Sequence, residues 1–416
     1  MAKLHRTLLV AIVVVSIGAV VAACGDDGAA GTTLRDAVGV AVGGEHTCAR
    51  RASGDVVCWG SNRFGQLGDG TMGHSRCQTS VAFDCSPTPV AAAGVTDIVE
   101  IAAGTYHTCA RRASGAVICW GSNQFGQLGD GSMAHSLCEY PSPPAVDCSL
   151  TPVAVLGLAD AVEIAAGSFH TCARRASGQV MCWGGESGAT PTVVLGLTDA
   201  VEIAVGASTC ARRASGEVVC WGGNGAGQLG DGTMTDSPTP VAVSGLTDAV
   251  ELSAGDGYPH ACARRASGAV VCWGSNDTGE LGDGIRHSTC IGFREFDCSL
   301  TPVTVAGLTD AVEISAGSSS TCARRASGEI VCWGLNHVGQ FGDGTMTGSP
   351  TPVVAAPGLT DAIEISGGMS RCAVRTTGAV MCWGYNAFGQ LGDGSMSHST
   401  CSEDCSLVPV TVVAPL

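Results

Sequence analysis

From about residue 37 to the C-terminus, short apolar runs, some alternating with polar residues and some continuous, are interrupted every few positions by Gly and Pro. That pattern predicts short β-strands joined by tight turns and no long helices. One stretch, read from Val162, runs V-E-I-A-A-G-S-F-H-T-C-A-R-R-A-S-G-Q-V-M-C-W-G, and its siblings continue with N-x-x-G-Q-L-G-D-G, a variable loop and T-P-V. Four strands follow from each unit: A (V-E-I-A-A), B (T-C-A-R), C (V-x-C-W-G) and D (P-V-x-V). Self-comparison places seven such units, marked by Trp59, Trp120, Trp183, Trp221, Trp273, Trp333 and Trp383, at intervals of 38 to 63 residues.

A single four-stranded sheet cannot bury both of its faces, but sheets packed radially against one another can. The expected fold is therefore all-β, a seven-bladed β-propeller of four-stranded antiparallel blades spanning residues 37–416. Gly, at 60 of 416 residues, fits a chain of turns, and aromatic residues at 5% leave little for large helical cores.

The N-terminus departs from this pattern. Lys3 and Arg6 precede an apolar run over residues 8–21, and Val21-Ala22-Ala23-Cys24 follows. The run is short for a membrane span. The segment resembles the signal and lipobox of bacterial lipoproteins, which implies removal of residues 1–23, a diacylglycerol on the Cys24 thiol and a flexible leash over 24–36. The expectation is an envelope protein held to the membrane by its lipid alone, at the outer membrane or cell surface. Loss of Lys3 and Arg6 would move the formal charge from −16 to −18, and so acidic a surface repels nucleic acid.

Of the 23 cysteines, Cys24 is set aside for lipid and the other 22 sort into two classes. Seven C-x9-C pairs precede the Trp: Cys48 with Cys58, Cys109 with Cys119, Cys172 with Cys182, Cys210 with Cys220, Cys262 with Cys272, Cys322 with Cys332 and Cys372 with Cys382. Their spacing puts both thiols on one face of the B–C hairpin, and cross-strand disulfides are expected. Four further pairs, Cys77 with Cys85, Cys138 with Cys148, Cys290 with Cys298 and Cys401 with Cys405, lie in insertions of the form H-S-x-C…D-C-S. Local bridges would pin these loops. Zinc on His74, His135, His287 and His398 with reduced neighbouring cysteines is the other reading.

The residues A-G-x-x-H-T-C-A, V-x-C-W-G and G-Q-L-G-D-G resemble the repeats of the regulator of chromosome condensation family, over residues 37 to 416. The resemblance implies the propeller. In that family, nucleotide exchange on a small GTPase depends on a blade-specific β-wedge and an N-terminal tail. Here the third unit is the shortest and lacks N-x-x-G-Q-L-G-D-G, and the tail reads as a lipid leash, so exchange is not expected.

Strand direction sorts the loops onto two faces: A–B and C–D on one, B–C and D–A on the other. All four insertions are C–D loops of units 1, 2, 5 and 7. Tyr106, Phe169 and Tyr258 belong to A–B turns of the same face, while Phe83, Tyr140, Phe293 and Phe296 ride on the insertions. These seven aromatics are the candidate binding residues, with packing of their own loops as the alternative role. On the opposite rim Arg51, Arg112, Arg175, Arg213, Arg265 and Arg325 are expected to pair with the acids that begin strand A, Asp97, Asp160, Asp199, Asp248, Asp310 and Asp361 with Glu100, Glu163, Glu202, Glu251, Glu313 and Glu364.

His46, His107, His170 and His260 recur before the T-C or A-C step where Ser208, Ser320 and Ser370 stand in other units, and repetition points to blade packing. Asp69, Asp130, Asp231, Asp283, Asp343 and Asp393 of G-D-G suit loop capping better than calcium, since no D-x-D-x-D-G ladder follows. No nucleophile elbow, H-E-x-x-H or phosphate loop occurs. Glu139, Glu186 and His337 are scattered singletons, and no cofactor or metal is implied. The chain reads as a monomeric recognition module for an unknown protein or glycan, the alternative being an envelope hydrolase or lyase at the channel mouth.

Overall fold

The computed structural model describes residues 32–78, 82–138, 145–291, 295–398, 401 and 404–415. The B–C hairpin shows why the repeat folds as it does. In the first blade strand B (His46–Arg51) faces strand C (Val56–Ser61) with Cys48 directly opposite Cys58. Ala52-Ser53-Gly54 closes the loop: Gly54 takes φ 85°, and its N–H returns to the Arg51 carbonyl at 2.9 Å.

The same register bridges Cys109 to Cys119, Cys172 to Cys182, Cys210 to Cys220, Cys262 to Cys272, Cys322 to Cys332 and Cys372 to Cys382, with Cα–Cα separations of 4.0–4.1 Å throughout. In the insertions Cys77 is bridged to Cys85, Cys138 to Cys148, Cys290 to Cys298 and Cys401 to Cys405, at 5.8–5.9 Å. These are the eleven pairs read from the sequence.

Seven antiparallel sheets follow in order, one per unit, making the seven-bladed propeller with strand A innermost. Three sheets carry a fifth strand that the repeat did not announce. In blades 1, 2 and 5 the H-S-x-C arm (Ser75–Gln78, Ser136–Cys138 and Ser288–Ile291) pairs with a lengthened strand D. These three insertions are thus hairpin extensions of their blades. Strand D of blade 3 shrinks instead to Thr192–Val193.

Adjacent blades are joined by three layers of contact. At the centre the repeated Trp of each blade packs in an apolar core between blades. Toward the insertion face His46, His107, His170 and His260 bond Nε2 to the hydroxyl of Thr108, Thr171, Thr209 and Thr321 of the next blade at 2.7–2.9 Å. Every histidine thus faces a threonine. Of the serines at this place, Ser208 and Ser320 precede blades that present Ala261 and Arg371, and Ser370 alone precedes a threonine, Thr47. Burial pushes the four imidazoles down, to about 3 for His46 and His107 and about 4 for His170 and His260.

The third layer lies toward the opposite rim, where the expected ion pairs form in two tiers. Arg51, Arg112, Arg175, Arg213, Arg265 and Arg325 meet Asp36, Asp97, Asp160, Asp199, Asp248 and Asp310 of their own blades, and Arg375 meets Asp361. The glutamates serve the preceding arginines: Glu100, Glu163, Glu202, Glu251 and Glu313 bind Arg111, Arg174, Arg212, Arg264 and Arg324 at 2.6–2.7 Å. The second oxygen of each accepts a backbone N–H from strand A of the next blade. Glu364 does this for Val40, which ties blade 7 to blade 1. Leu34, 1% exposed, and Val412, 0% exposed, complete that junction, with Thr33 bridged to Val413.

Candidate protein-recognition face

Each insertion is held by a clamp that the sequence displays only as separate fragments. Asp69 of G-D-G caps its own loop by accepting the Thr71 N–H, and its other oxygen meets His74 Nε2 at 2.9 Å. His74 Nδ1 meets Asp84 at 2.9 Å, and Asp84 also accepts Asn62 Nδ2 at 2.7 Å. His135 lies in the same way between Asp130 and Asp147, and His398 between Asp393 and Asp404. Blade 5 has one residue fewer in this loop; His287 keeps Asp283 at 2.7 Å, while Asp297 takes the His287 backbone N–H.

Hydrogen bonds that its ring donates to Asp69 and Asp84 hold the His74 pKa up at about 10, and those donated to Asp393 and Asp404 hold His398 at about 9. At neutral pH these two imidazoles are cations between carboxylates, and the neighbouring cysteines pair with each other. In blades 4 and 6, which lack the insertion and its histidine, Asp231 and Asp343 make the same loop cap, to the N–H of Thr233 and Thr345.

The aromatics divide into two groups. Phe83 and Tyr106 are half-buried and surround Arg63, whose guanidinium carbon lies 5.1–5.8 Å from the ring centroids of Phe64, Phe83, Tyr106 and Phe388. Arg63 is 15% exposed and forms an ion pair with Glu45, whose pKa burial raises. Blades 1, 2 and 7 meet in this cluster, so these two rings pack the face as well as line it. Phe296, on the lengthened strand D of blade 5, is also half-buried.

Phe169 and Tyr258 are open to solvent, at 47% and 36% exposure. Phe169 stacks edge-on against Phe125, itself 42% exposed, with centroids 5.0 Å apart. Beside this pair a cavity of about 660 Å³ opens between blades 3 and 4. Tyr140, Phe293, Glu139 and Cys24 lie outside the described residues.

Glu186, exposed on its short turn, lines the cavity between blades 3 and 4 together with His170, and His337 stands on an exposed loop with its Nδ1 3.4 Å from Gln340 Nε2. At the channel mouth Asp256 is pushed up to about 7 by burial. The other described residues lining that opening are Val, Gly, Ala, Thr and Ser, with neither a second carboxylate nor an imidazole among them. Sequence reasoning missed Glu45, Arg63 and Arg371. Arg371, 2% exposed, reaches into blade 6 to the Ser320 carbonyl at 2.7 Å and the Ser320 hydroxyl at 3.0 Å, where other blades place histidine. Arg371 was visible as a departure from a position that is threonine in five other units and alanine in the sixth, whereas Glu45 and Arg63 stand at positions that vary from unit to unit and carry no such signal.

Comparison with known proteins agrees with this architecture. The family described as "Regulator of chromosome condensation (RCC1) repeat" matches residues 53–111, 114–174, 215–261 and 267–324, and a second description of the same repeat matches 37–66, 98–127 and 311–340. Secretion-regulating guanine nucleotide exchange factor of Mus musculus is 29% identical over 331 residues, covering 76% of this chain and 60% of that protein. The ultraviolet-B receptor UVR8 of Arabidopsis thaliana is 29% identical over 319 residues, covering 76% of this chain and 57% of its own. This chain therefore matches only about 60% of the length of such relatives. Among solved structures, human WBSCR16 superposes with a TM-score of 0.69 at 18% identity, covering 87% of this chain and 95% of that one. Prp20p of Saccharomyces cerevisiae superposes at 0.68 and 21%, covering 86% of each.

Proposed function

The chain belongs to the regulator of chromosome condensation repeat family, and from that premise we propose that it is a protein-recognition module acting through its insertion face, exported and held at the cell envelope by lipid on Cys24. The observation that carries the reading is the exposed Phe125–Phe169 pair. Two large rings left open on a rigid scaffold are expensive to expose to water and inexpensive to dock, because the blades already fix them. The insertions belong to the same side, and their described bases are clamped and closed by disulfides. Prp20p, a structural neighbour, is described with binding to Gsp1p and histones, and protein binding is the part of that behaviour we extend to this chain. Nucleotide exchange is not extended.

The test uses the Cys24→Ser chain as bait. It is expected in the soluble fraction, with the native chain in the membrane fraction, and to capture a partner from envelope extracts. Adding Phe125→Ser and Phe169→Ser should cut that capture at least tenfold while the melting temperature stays within a few degrees. Undiminished capture by the double variant would move the site to the opposite, arginine-rich rim. A Cys24→Ser chain still bound to membranes would remove the lipid anchor.

A further inference from the structure

Six of the seven junctions between blades are closed by the same piece of chain. After strand C, the segment N-x-x-G-Q-L-G-D-G or its near copy leaves its own blade and packs on the next. Its apolar residue, Leu67, Leu128, Leu229, Leu281, Phe341 or Leu391, is 0% exposed in the core between the two blades. The carbonyl before it, on Gln66, Gln127, Gln228, Glu280, Gln340 or Gln390, accepts the indole N–H of the next blade's tryptophan at 2.8–2.9 Å. In four junctions a threonine hydroxyl of the next blade donates to that carbonyl as well. The glycine after it lies so close that a Cβ would come within 2.5–2.8 Å of the indole.

The third blade has no such segment. Gly184 is followed by a single 3-10 turn, Gly185–Ser187, and the chain returns directly to Thr192–Val193. The groups that would receive the segment are nevertheless in place on blade 4. Trp221 occupies the tryptophan position and is 8% exposed where the other six are 0–1%. Among the described residues nothing accepts its indole N–H. Thr209 is bonded to His170 at 2.8 Å, and among the described residues no carbonyl stands where the loop of another junction would place one. The space left is the 660 Å³ cavity, lined by Trp221, Thr209, Ser208, Cys182, Val194 and Phe169 among others. That volume is in the range of about 300–1,000 Å³ typical of ligand sites.

We propose that this cleft binds a glycine-x-leucine-glycine turn on a partner protein, which completes the junction as the chain's own loops complete the other six. Six occupied copies within the same molecule define the chemistry of the occupant. One backbone carbonyl takes both the Trp221 N–H and the Thr209 hydroxyl, a leucine side chain fills the core beside Val194 and the Cys172–Cys182 bridge, and a glycine lies flat on the indole. A bulkier residue in the glycine's place collides with Trp221. The proposal deepens the reading of the insertion face as a protein-binding surface, since A–B and C–D loops frame the cleft and Phe169 is shared by both.

The probe is a capped peptide with the sequence of residues 62–70, Asn-Arg-Phe-Gly-Gln-Leu-Gly-Asp-Gly, titrated into the full chain labelled with nitrogen-15 at tryptophan. Of the indole N–H signals, the one removed by Trp221→Phe should shift on titration while the other six stay in place. Trp221→Phe, which keeps an aromatic ring and loses the donor, should weaken binding of the peptide about tenfold by calorimetry. A peptide carrying Gly68→Val should not bind. No shift at millimolar peptide, an equal shift with the valine peptide, or shifts spread over all the indoles would each overturn the proposal. Because the titration needs no natural partner, the cleft can fail while capture through Phe125 and Phe169 succeeds, and capture can fail while the peptide still binds.

Discussion

The two junctions on either side of blade 3 are built from the same parts and end differently. Both carry the histidine-to-threonine bond, His107 to Thr171 and His170 to Thr209, each at 2.8 Å. Both have a glutamate of one blade accepting a strand A N–H of the next, Glu100 from Ile164 and Glu163 from Ile203. Only the first is closed by a loop, with Leu128 in the core and the Gln127 carbonyl on Trp183. The second has Trp221 and no loop. The strands and the polar bonds therefore suffice to hold blades side by side, and the loop is a separate layer that seals the insertion-face end of each junction. Removing it leaves the ring intact and opens a cleft.

Acid should give the largest effect, and it should strike both junctions alike. Burial lowers the pKa of His107 to about 3 and of His170 to about 4, so unfolding lets each take up a proton near its ordinary value of about 6.5. The stabilisation is whole above about pH 6.5 and is lost as pH falls from there toward 3–4. In that window each histidine contributes a slope of up to about 1.4 kcal/mol per pH unit. Urea midpoints measured from pH 7 to pH 5 should fall in the native chain and fall less steeply in His107→Gln and in His170→Gln. An unchanged slope in either variant would show that its imidazole is not buried in neutral form.

The next effect separates the junctions. Leu128→Ala empties a fully buried site and should cost about 3 kcal/mol in denaturant unfolding. Blade 3 offers no leucine at that place to remove. A cost well under 1 kcal/mol would mean that the loop lies on the junction without supporting it.

The smallest effect reads the hydrogen bond alone. Trp183→Phe deletes ring atoms and an indole N–H bonded to the Gln127 carbonyl, which keeps the Thr171 hydroxyl as a donor. Trp221→Phe deletes the same ring atoms and an N–H with no acceptor among the described residues, so it should cost about 1 kcal/mol less than Trp183→Phe, and that difference is the hydrogen bond. In the native chain the Trp221 indole proton should also exchange with solvent faster than the other six. Equal costs, or equal exchange, would erase the distinction between a sealed junction and an open one.

Much of this was legible in the residues. The period, the four strands, the seven blades and the cysteine pairs depend on local spacing, and local spacing is what a repeat displays. Strand direction likewise put the insertions and Phe169 on one face. The arginine-rich rim was legible in outline, but its two tiers were not. Whether an acid meets Arg111 or Arg112 depends on the β-bulge that shifts strand A against strand B, here between Ile98 and Glu100.

The sequence by itself determined the repeat, and with it the fold and the pairing of cysteines, because those contacts join residues a few positions apart in identical units. It also marked the short third unit, though only as a missing motif. The tertiary structure alone decided what the motif does, because its leucine, carbonyl and glycine act on the following blade, more than forty residues away in every case. The same holds for Arg63 among four rings from three blades. Such sites form when distant singletons converge, and neither burial nor convergence is written in the spacing of any one unit.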